Sequence, residues 1–189
     1  MEELKAMNFS VESGEKEMDE GYRLLEKYLS NPEHKLLTEL VIDYTRVFLG
    51  EGVYAGLVAS PYASAYIRPR RHVAVAANRV TEVDKKEKQN ISEDHISLEF
   101  EFMAYLCQET RDALESHDYL GIIGSLLDQK DFLEQHLTNW IPAFCADIRK
   151  CAETDFYLAI AKITNGYLRK EQAFLEEFIL EVMDEVVNN

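Results

Sequence analysis

An all-α fold, a single globular helical bundle of two helical halves joined by a hinge, is predicted for this chain by three observations. Apolar residues recur at helical spacing through most of its 189 residues. Helix start and stop signals bracket those stretches. No alternating strand series with hairpin turns occurs, and no internal repeat with a period of about 20 to 50 residues is present.

Taken in order, GYRLLEKYLS places Tyr22, Leu25 and Leu29 on one stripe and predicts a short helix. NPEHKLLTELVIDYTRVFLG follows, with Asn31 as N-cap, Pro32 at the first helical position and Gly50 in the left-handed conformation that ends a helix. EGVYAGLVASPYASAYIRPRR, with its glycines, prolines and aromatics, reads as an irregular connection, and HVAVAANRVTEV as a helix favoured by Ala76 and Ala77. The polar run DKKEKQN marks the hinge, so the expected organisation is an N-terminal half over about 1–84, a hinge over 85–93 and a C-terminal half over 94–189.

Beyond the hinge, SEDHISLEFEFMAYLCQET holds two competing periods. ISLEFEF alternates like a strand, yet Ser92 is an N-cap candidate, and Glu93 and Asp94 suit the positive end of a helix dipole. Ile96, Phe100 and Met103 form one helical stripe and Leu98, Phe102 and Tyr105 a second, so the helical period is taken. The remainder predicts helices broken near Asn139 and Pro142, then one long or two shorter helices interrupted at Asn165 and Gly166, giving eight or more in all.

Net charge is −15, concentrated in residues 92–189, where 20 acidic residues face 7 basic ones. An acidic body repels phosphate backbones and argues against nucleic acid as a partner; it draws cationic peptides, and it also serves plain solubility. Cys107, Cys145 and Cys151 are odd in number and lack C-x-x-C spacing, as expected of reduced, buried thiols. The N-terminal stretch has no apolar core of a signal peptide, and no run approaches about 18 apolar residues; a soluble cytoplasmic protein without stable membrane insertion is expected.

Catalytic chemistry finds little support. There is no phosphate-binding G-x-x-x-x-G-K-[ST] loop, and LGEGVYAGL has the wrong glycine spacing for a dinucleotide fingerprint. A di-iron bundle needs Glu three residues before His on two helices, and none of the five histidines has it. Ser64 has no identifiable base, and Cys107 lies among apolar residues. No catalytic residue, metal or cofactor is therefore expected, with a helical metal- or nucleotide-dependent enzyme as the alternative of a different class. On the residues alone, Asp94 caps a helix while His95 and Glu99 form an i, i+4 pair worth roughly 0.2–0.5 kcal/mol; the same pair can contribute to a metal site whose other ligands the sequence does not name.

Four stretches in order change that balance. DHISLEFEFMAYL resembles the D-H-x-x-x-E-x-x-F-M-x-Y-L signature of the TorD/DmsD/NarJ redox-enzyme maturation chaperones. DYTRVFLGEG is similar to that family's Y-x-x-L-F-L-G, SPYASAY to its P-Y-E-S-x-Y, and FLEQHLTNWIPAF to its F-x-x-x-H-L-x-x-W-x-P-x-F. The resemblance runs from about Tyr22 to Leu168 and implies a TorD-like all-helical domain, monomeric or a domain-swapped homodimer exchanged across the hinge.

It also implies an activity without catalysis. Such chaperones bind the twin-arginine signal peptide of a molybdopterin-containing oxidoreductase precursor and hold it until the cofactor is inserted; some bind the N-terminus of a non-exported client instead. By resemblance Asp94, His95 and Glu99 belong to the peptide-binding patch, Tyr44, Val47 and Phe48 to the apolar wall, and Pro61, Tyr62, Ser64 and Tyr66 to the facing loop, while Tyr22, Trp140 and Pro142 are structural. Two arginines followed by an apolar run call for carboxylates and an apolar groove. His95 would either hold a carboxylate or donate to a peptide carbonyl. Three departures stand out: Val47 for Leu, Ala63 for Glu, which removes a carboxylate, and Ser92 for a frequent proline.

Overall fold

The structure, a computed structural model, describes residues 12–31, 36–50, 58–67 and 92–188. Among them are six α-helices: α1 (Lys16–Ser30), α2 (Leu36–Leu49), α3 (Ile96–Glu115), α4 (Tyr119–Phe132), α5 (Ile141–Cys151) and α6 (Asp155–Asn188), with a 3-10 turn at Ala63–Ala65 and a π turn at Leu133–Leu137. The fold is all-α as expected. Residues 32–35, 72–83 and 84–91 lie outside the described residues, and with them the expected Pro32 start, the HVAVAANRVTEV helix and most of the hinge.

The chain divides into two compact units, each discontinuous in sequence. The first joins Met1–Ser60 to Ile141–Lys170, and the second joins Pro61–Trp140 to Glu171–Asn189. Helix α6 therefore contributes its first half to one unit and its last turns to the other.

In the first unit, α1 is capped by Glu15, whose carboxylate accepts the Met18 N–H at 2.7 Å. Its buried face carries Leu25, Tyr28 and Leu29 against Ala159 of α6. Contact between the two backbones depends on glycine at both ends. A Cβ on Gly21 would lie 2.9 Å from the Ala159 carbonyl oxygen, and one on Gly166 would lie 2.7 Å from the Met18 nitrogen. That explains why α6 runs unbroken through Asn165 and Gly166, where the sequence suggests an interruption. Gly166 is there to admit a neighbour rather than to end a helix. Arg169 completes the junction, its Nη2 reaching Glu15 at 2.7 Å and Glu17 at 2.6 Å.

Helix α2 ends as the sequence predicts, with Gly50 at φ 71°. Asn31 closes α1, its N–H bonding the Tyr28 carbonyl; its expected role as N-cap of the next helix falls on residues 32–35, outside the described ones. Asp43 of α2 is 1% exposed. A carboxylate so removed from water needs donors, and it has four: the N–H groups of Glu153 and Thr154, the Thr154 hydroxyl and Arg46. These bonds satisfy backbone N–H groups just ahead of α6, where a helix N-terminus favours negative charge.

In the second unit, α3 packs on α4 through a buried polar seam. The Gln129 amide donates to Thr110 Oγ1 at 2.6 Å, Thr110 and Ser125 share a bond of 2.7 Å, and Cys107 Sγ lies 3.3 Å from Gln129 Oε1. Cys145 and Cys151 are buried as expected, whereas Cys107 is exposed and uses its sulfur for that bond. The predicted break near Asn139 and Pro142 is real. The chain widens into the π turn, turns over 138–140 and restarts at Ile141, with Pro142 in the first turn of α5, where a missing N–H costs nothing.

Two outcomes follow from this packing. Helix propensity alone would make Gly166→Ala stabilising by about 1 kcal/mol; the approach of Met18 reverses the sign, and a loss of roughly 1–3 kcal/mol in urea unfolding is expected. Asp43→Ala strips several donors of their acceptor and should cost about 3 kcal/mol or more by the same measurement; a change within 0.5 kcal/mol would contradict the capping role.

Candidate functional site

Residues 61–67 are held against the start of α3 by main-chain bonds. The Ala63 N–H donates to the Asp94 carbonyl and the Ile96 N–H to the Pro61 carbonyl, both at 2.9 Å, so that Tyr62 and His95 form an isolated antiparallel bridge. Their side chains meet as well, the His95 ring standing edge-on to Tyr62 at 5.0 Å and 73°. The Asp94 carboxylate accepts the Ser64 N–H at 2.9 Å. Pro61, Tyr62, Ser64, Asp94 and His95 thus form one patch, with Ser64 exposed and the others half-buried.

The helix begins later than Ser92. His95 is the N-cap of α3, its Nδ1 accepting the Ser97 N–H at 3.2 Å and lying 2.7 Å from the Ser97 hydroxyl. This replaces the expected His95–Glu99 pair, because the ring is committed to the end of the helix. With Nδ1 as acceptor, the neutral ring carries its proton on Nε2, which is then a donor. Burial pushes the His95 pKa below its ordinary value, against the opposing pull of Asp94, which favours that neutral ring.

Glu99 lies one turn further on, 4% exposed. Its Oε2 accepts the Trp140 indole N–H at 2.9 Å, and Trp140, itself fully buried, stacks on Tyr66 at 5.7 Å and 27°. Burial raises the Glu99 pKa to about 7; the Trp140 bond opposes the rise and the Asp94 charge adds to it. Asp94 behaves in the opposite way. Burial works to raise its pKa, but hydrogen bonds from Ser64 and Ser92 outweigh it and hold the carboxyl below its ordinary value. Two carboxylates five residues apart therefore differ in charge state near neutral pH: Asp94 is ionised and Glu99 is close to half-protonated.

The buried stripe of α3 is Glu99, Phe102, Met103, Leu106 and Thr110, rather than the two parallel stripes read from the sequence. Trp140 escaped notice as a partner of Glu99 because 41 residues separate them and no local period connects them; only its place in the W-x-P stretch singled it out.

Tyr44, Val47 and Phe48 belong to the first unit. Val47 is fully buried, its carbonyl accepting the Ala59 N–H, and its side chain is a core group. Tyr44 is 47% exposed and packs on Phe48 at 5.1 Å; Phe48 in turn meets Tyr157 at 5.6 Å and Phe144 at 6.3 Å. Among the described residues no group of three or more His, Cys, Asp or Glu side chains is arranged to hold a metal ion, and no helix is long and apolar enough to cross a membrane.

Glu99 generates a pH dependence with a definite sign. Its folded pKa lies above the ordinary carboxylate value, so its contribution to stability is fully present below about pH 4.5 and is lost as pH rises through about 7. The loss is on the order of 3 kcal/mol. Glu99→Gln keeps an acceptor for Trp140 and removes the titration, so urea unfolding should show the variant losing less stability than the parent between pH 5 and pH 8. Equal losses would exclude Glu99 as the group responsible.

Residues 14–146 match the family model described as nitrate reductase delta subunit. Among curated relatives, the "Chaperone protein TorD" of Vibrio cholerae serotype O1 (strain ATCC 39541 / Classical Ogawa 395 / O395) is 29% identical over 152 residues, 76% of this chain and 65% of its own length. That of Actinobacillus succinogenes is 31% identical over 142 residues, 69% of this chain and 62% of its own, and that of Shewanella pealeana 25% over 156 residues, 75% and 63%. The chain thus spans a little under two thirds of the length of these relatives. No solved structure matches it significantly. With the helical fold and the loop-to-helix patch in place, the match over residues 14–146 shows that this chain belongs to the nitrate reductase delta subunit family, the NarJ/TorD type.

Proposed function

We propose that the protein is a cytoplasmic chaperone that binds the N-terminal twin-arginine signal peptide of a molybdopterin-containing oxidoreductase precursor and assists cofactor insertion before export. Family membership supports the class of activity. The observation that carries the peptide reading is the juxtaposition of ionised Asp94, the His95 ring and the Tyr62 ring on one half-buried patch. Asp94 receives an arginine guanidinium through charge-assisted hydrogen bonds; the His95 Nε2–H donates to a peptide carbonyl. Tyr62 offers an apolar face to the residues that follow. Glu99 works indirectly, holding Trp140 and through it Tyr66.

One feature favours a second reading, a NarJ-like assembly chaperone for a non-exported molybdoenzyme subunit. Because Glu99 is buried and engaged by Trp140, Asp94 is the one carboxylate of the predicted trio placed at the surface, which is sparse provision for two arginines. A client lacking the arginine pair would be read through His95, Tyr62 and the main chain of the loop.

Calorimetric titration with a twin-arginine signal peptide and its Lys-Lys variant separates the two. Under the first reading the arginine peptide binds saturably, lysine weakens it, and Asp94→Ala weakens it about tenfold or more while flattening the salt dependence, in line with ~1.5–3 kcal/mol for a hydrogen bond to a charged group. Equal binding of both peptides, unaffected by Asp94→Ala, would support the second; no binding to either would contradict both uses of this patch.

A further inference from the structure

Glu99 is a buried acid that is wired to the loop patch without being part of its surface. Its carboxylate accepts the Trp140 indole N–H at 2.9 Å, and Trp140 stacks on Tyr66. Tyr66 belongs to the loop whose Tyr62 meets His95 and whose Ser64 N–H bonds the Asp94 carboxylate. The loop is thus held by two carboxylates, one at the patch and one in the core, and all of these residues lie in the second unit.

The charges around Glu99 are few. Asp94, five residues earlier on the chain, acts on it and opposes its ionisation. His95 spends Nδ1 on the end of α3, and burial holds its pKa low. The loop brings Tyr62 and Tyr66, neither of them a cation. On the elements packed against α3, Lys130 pairs with Glu134, His136 stacks on Phe132, and Asp128 and Asp131 are exposed. Among the described residues no lysine or arginine is paired with Glu99. A cation arriving at Asp94 changes this balance twice, cancelling the charge that opposes ionisation and adding one that favours it. The indole bond gains too, since an ionised acceptor makes it shorter and stronger.

We propose that Glu99 is a proton-linked positioning residue: an arginine settling on Asp94 expels the Glu99 proton, and the ionised carboxylate then holds Trp140, Tyr66 and the loop more firmly. The proposal rests on the peptide reading above. The Glu99 O–H bond is the one that breaks, and its proton passes to solvent. Linkage is reciprocal, so affinity for an arginine peptide must depend on pH. The empty protein carries the proton below about pH 7 and the complex does not, so binding at low pH has to remove it. Affinity therefore rises as pH rises through neutrality. Asp94 stays ionised throughout that range, its carboxyl being held below its ordinary value.

Trp140 is the one tryptophan of the chain, so its indole ¹H–¹⁵N NMR signal reads the Glu99 bond directly. The experiment titrates ¹⁵N-labelled full-length protein from about pH 5 to pH 9, alone and saturated with a twin-arginine signal peptide. In the free protein the indole signal should move with a midpoint near 7, and Glu99→Gln should flatten it. Asp94→Asn, which keeps an acceptor for the Ser64 N–H, should lower that midpoint with no peptide present. Peptide should lower the parent's midpoint by roughly one unit, and its affinity should rise about fivefold from pH 6 to pH 8, a rise that Glu99→Gln removes. A peptide that shifts the amides of residues 61–66 and 94–97 but leaves the indole midpoint in place would overturn the linkage and spare the patch. A midpoint indifferent to Asp94→Asn would overturn it as well. A peptide that shifts no resonance would overturn the peptide reading, and the linkage with it.

Discussion

A carboxylate withdrawn from water must be given donors, and much of this structure is arranged around two that are. Asp43 and Glu99 are each almost fully buried, and each organises its own unit. Asp43 is multiply satisfied, by two backbone N–H groups, a hydroxyl and a guanidinium, and fixes the approach to α6. Glu99 has the Trp140 indole N–H as its principal donor, and its pKa rises accordingly. The contrast is physical. A buried carboxylate with many donors is a structural anchor, whereas one with few sits near its ionisation threshold and couples the packing around it to pH.

That difference bears on what the site can do. The Glu99–Trp140 bond sets the indole, and the indole carries Tyr66 of the loop that also supplies Tyr62 and the Ser64 N–H. Loop and helix are joined a second time through Asp94, whose carbonyl and carboxylate both accept N–H groups from residues 63 and 64. A short irregular segment is thereby held at both ends by α3. Under the peptide reading proposed above, such fixing would matter, because main-chain and ring contacts are worth little if the loop must be ordered at the moment of binding.

Much of the architecture was legible in the sequence, and the reasons for success and failure are specific. Gly50 announces the end of α2 because a left-handed residue leaves a compositional mark. ISLEFEF could be assigned to a helix because its continuation into MAYLC had no turn signal, and α3 runs there from Ile96. Gly166 misled, since glycine at a helix end and glycine at a close crossing look alike in one sequence; only the presence of Met18 against it separates them. The His95–Glu99 pair also failed. Spacing of four makes a contact available, but capping Ser97 and accepting from Trp140 satisfy the two groups better, and the second partner is remote in sequence. The site was legible as a set of residue types, and its wiring was not.

If the loop patch reads an arginine peptide as proposed, it would discriminate by position rather than by charge alone. The Asp94 carbonyl and carboxylate accept N–H groups from residues 63 and 64, and Ser64 and Ser92 also donate to the carboxyl. An arriving guanidinium would compete with these donors for the lone pairs, and its approach would be dictated by the loop that presents them. Charge at a half-buried carboxylate is weakened by salt, whereas the fork geometry of its hydrogen bonds is not, and a lysine ammonium, a point charge without that fork, gains less from it.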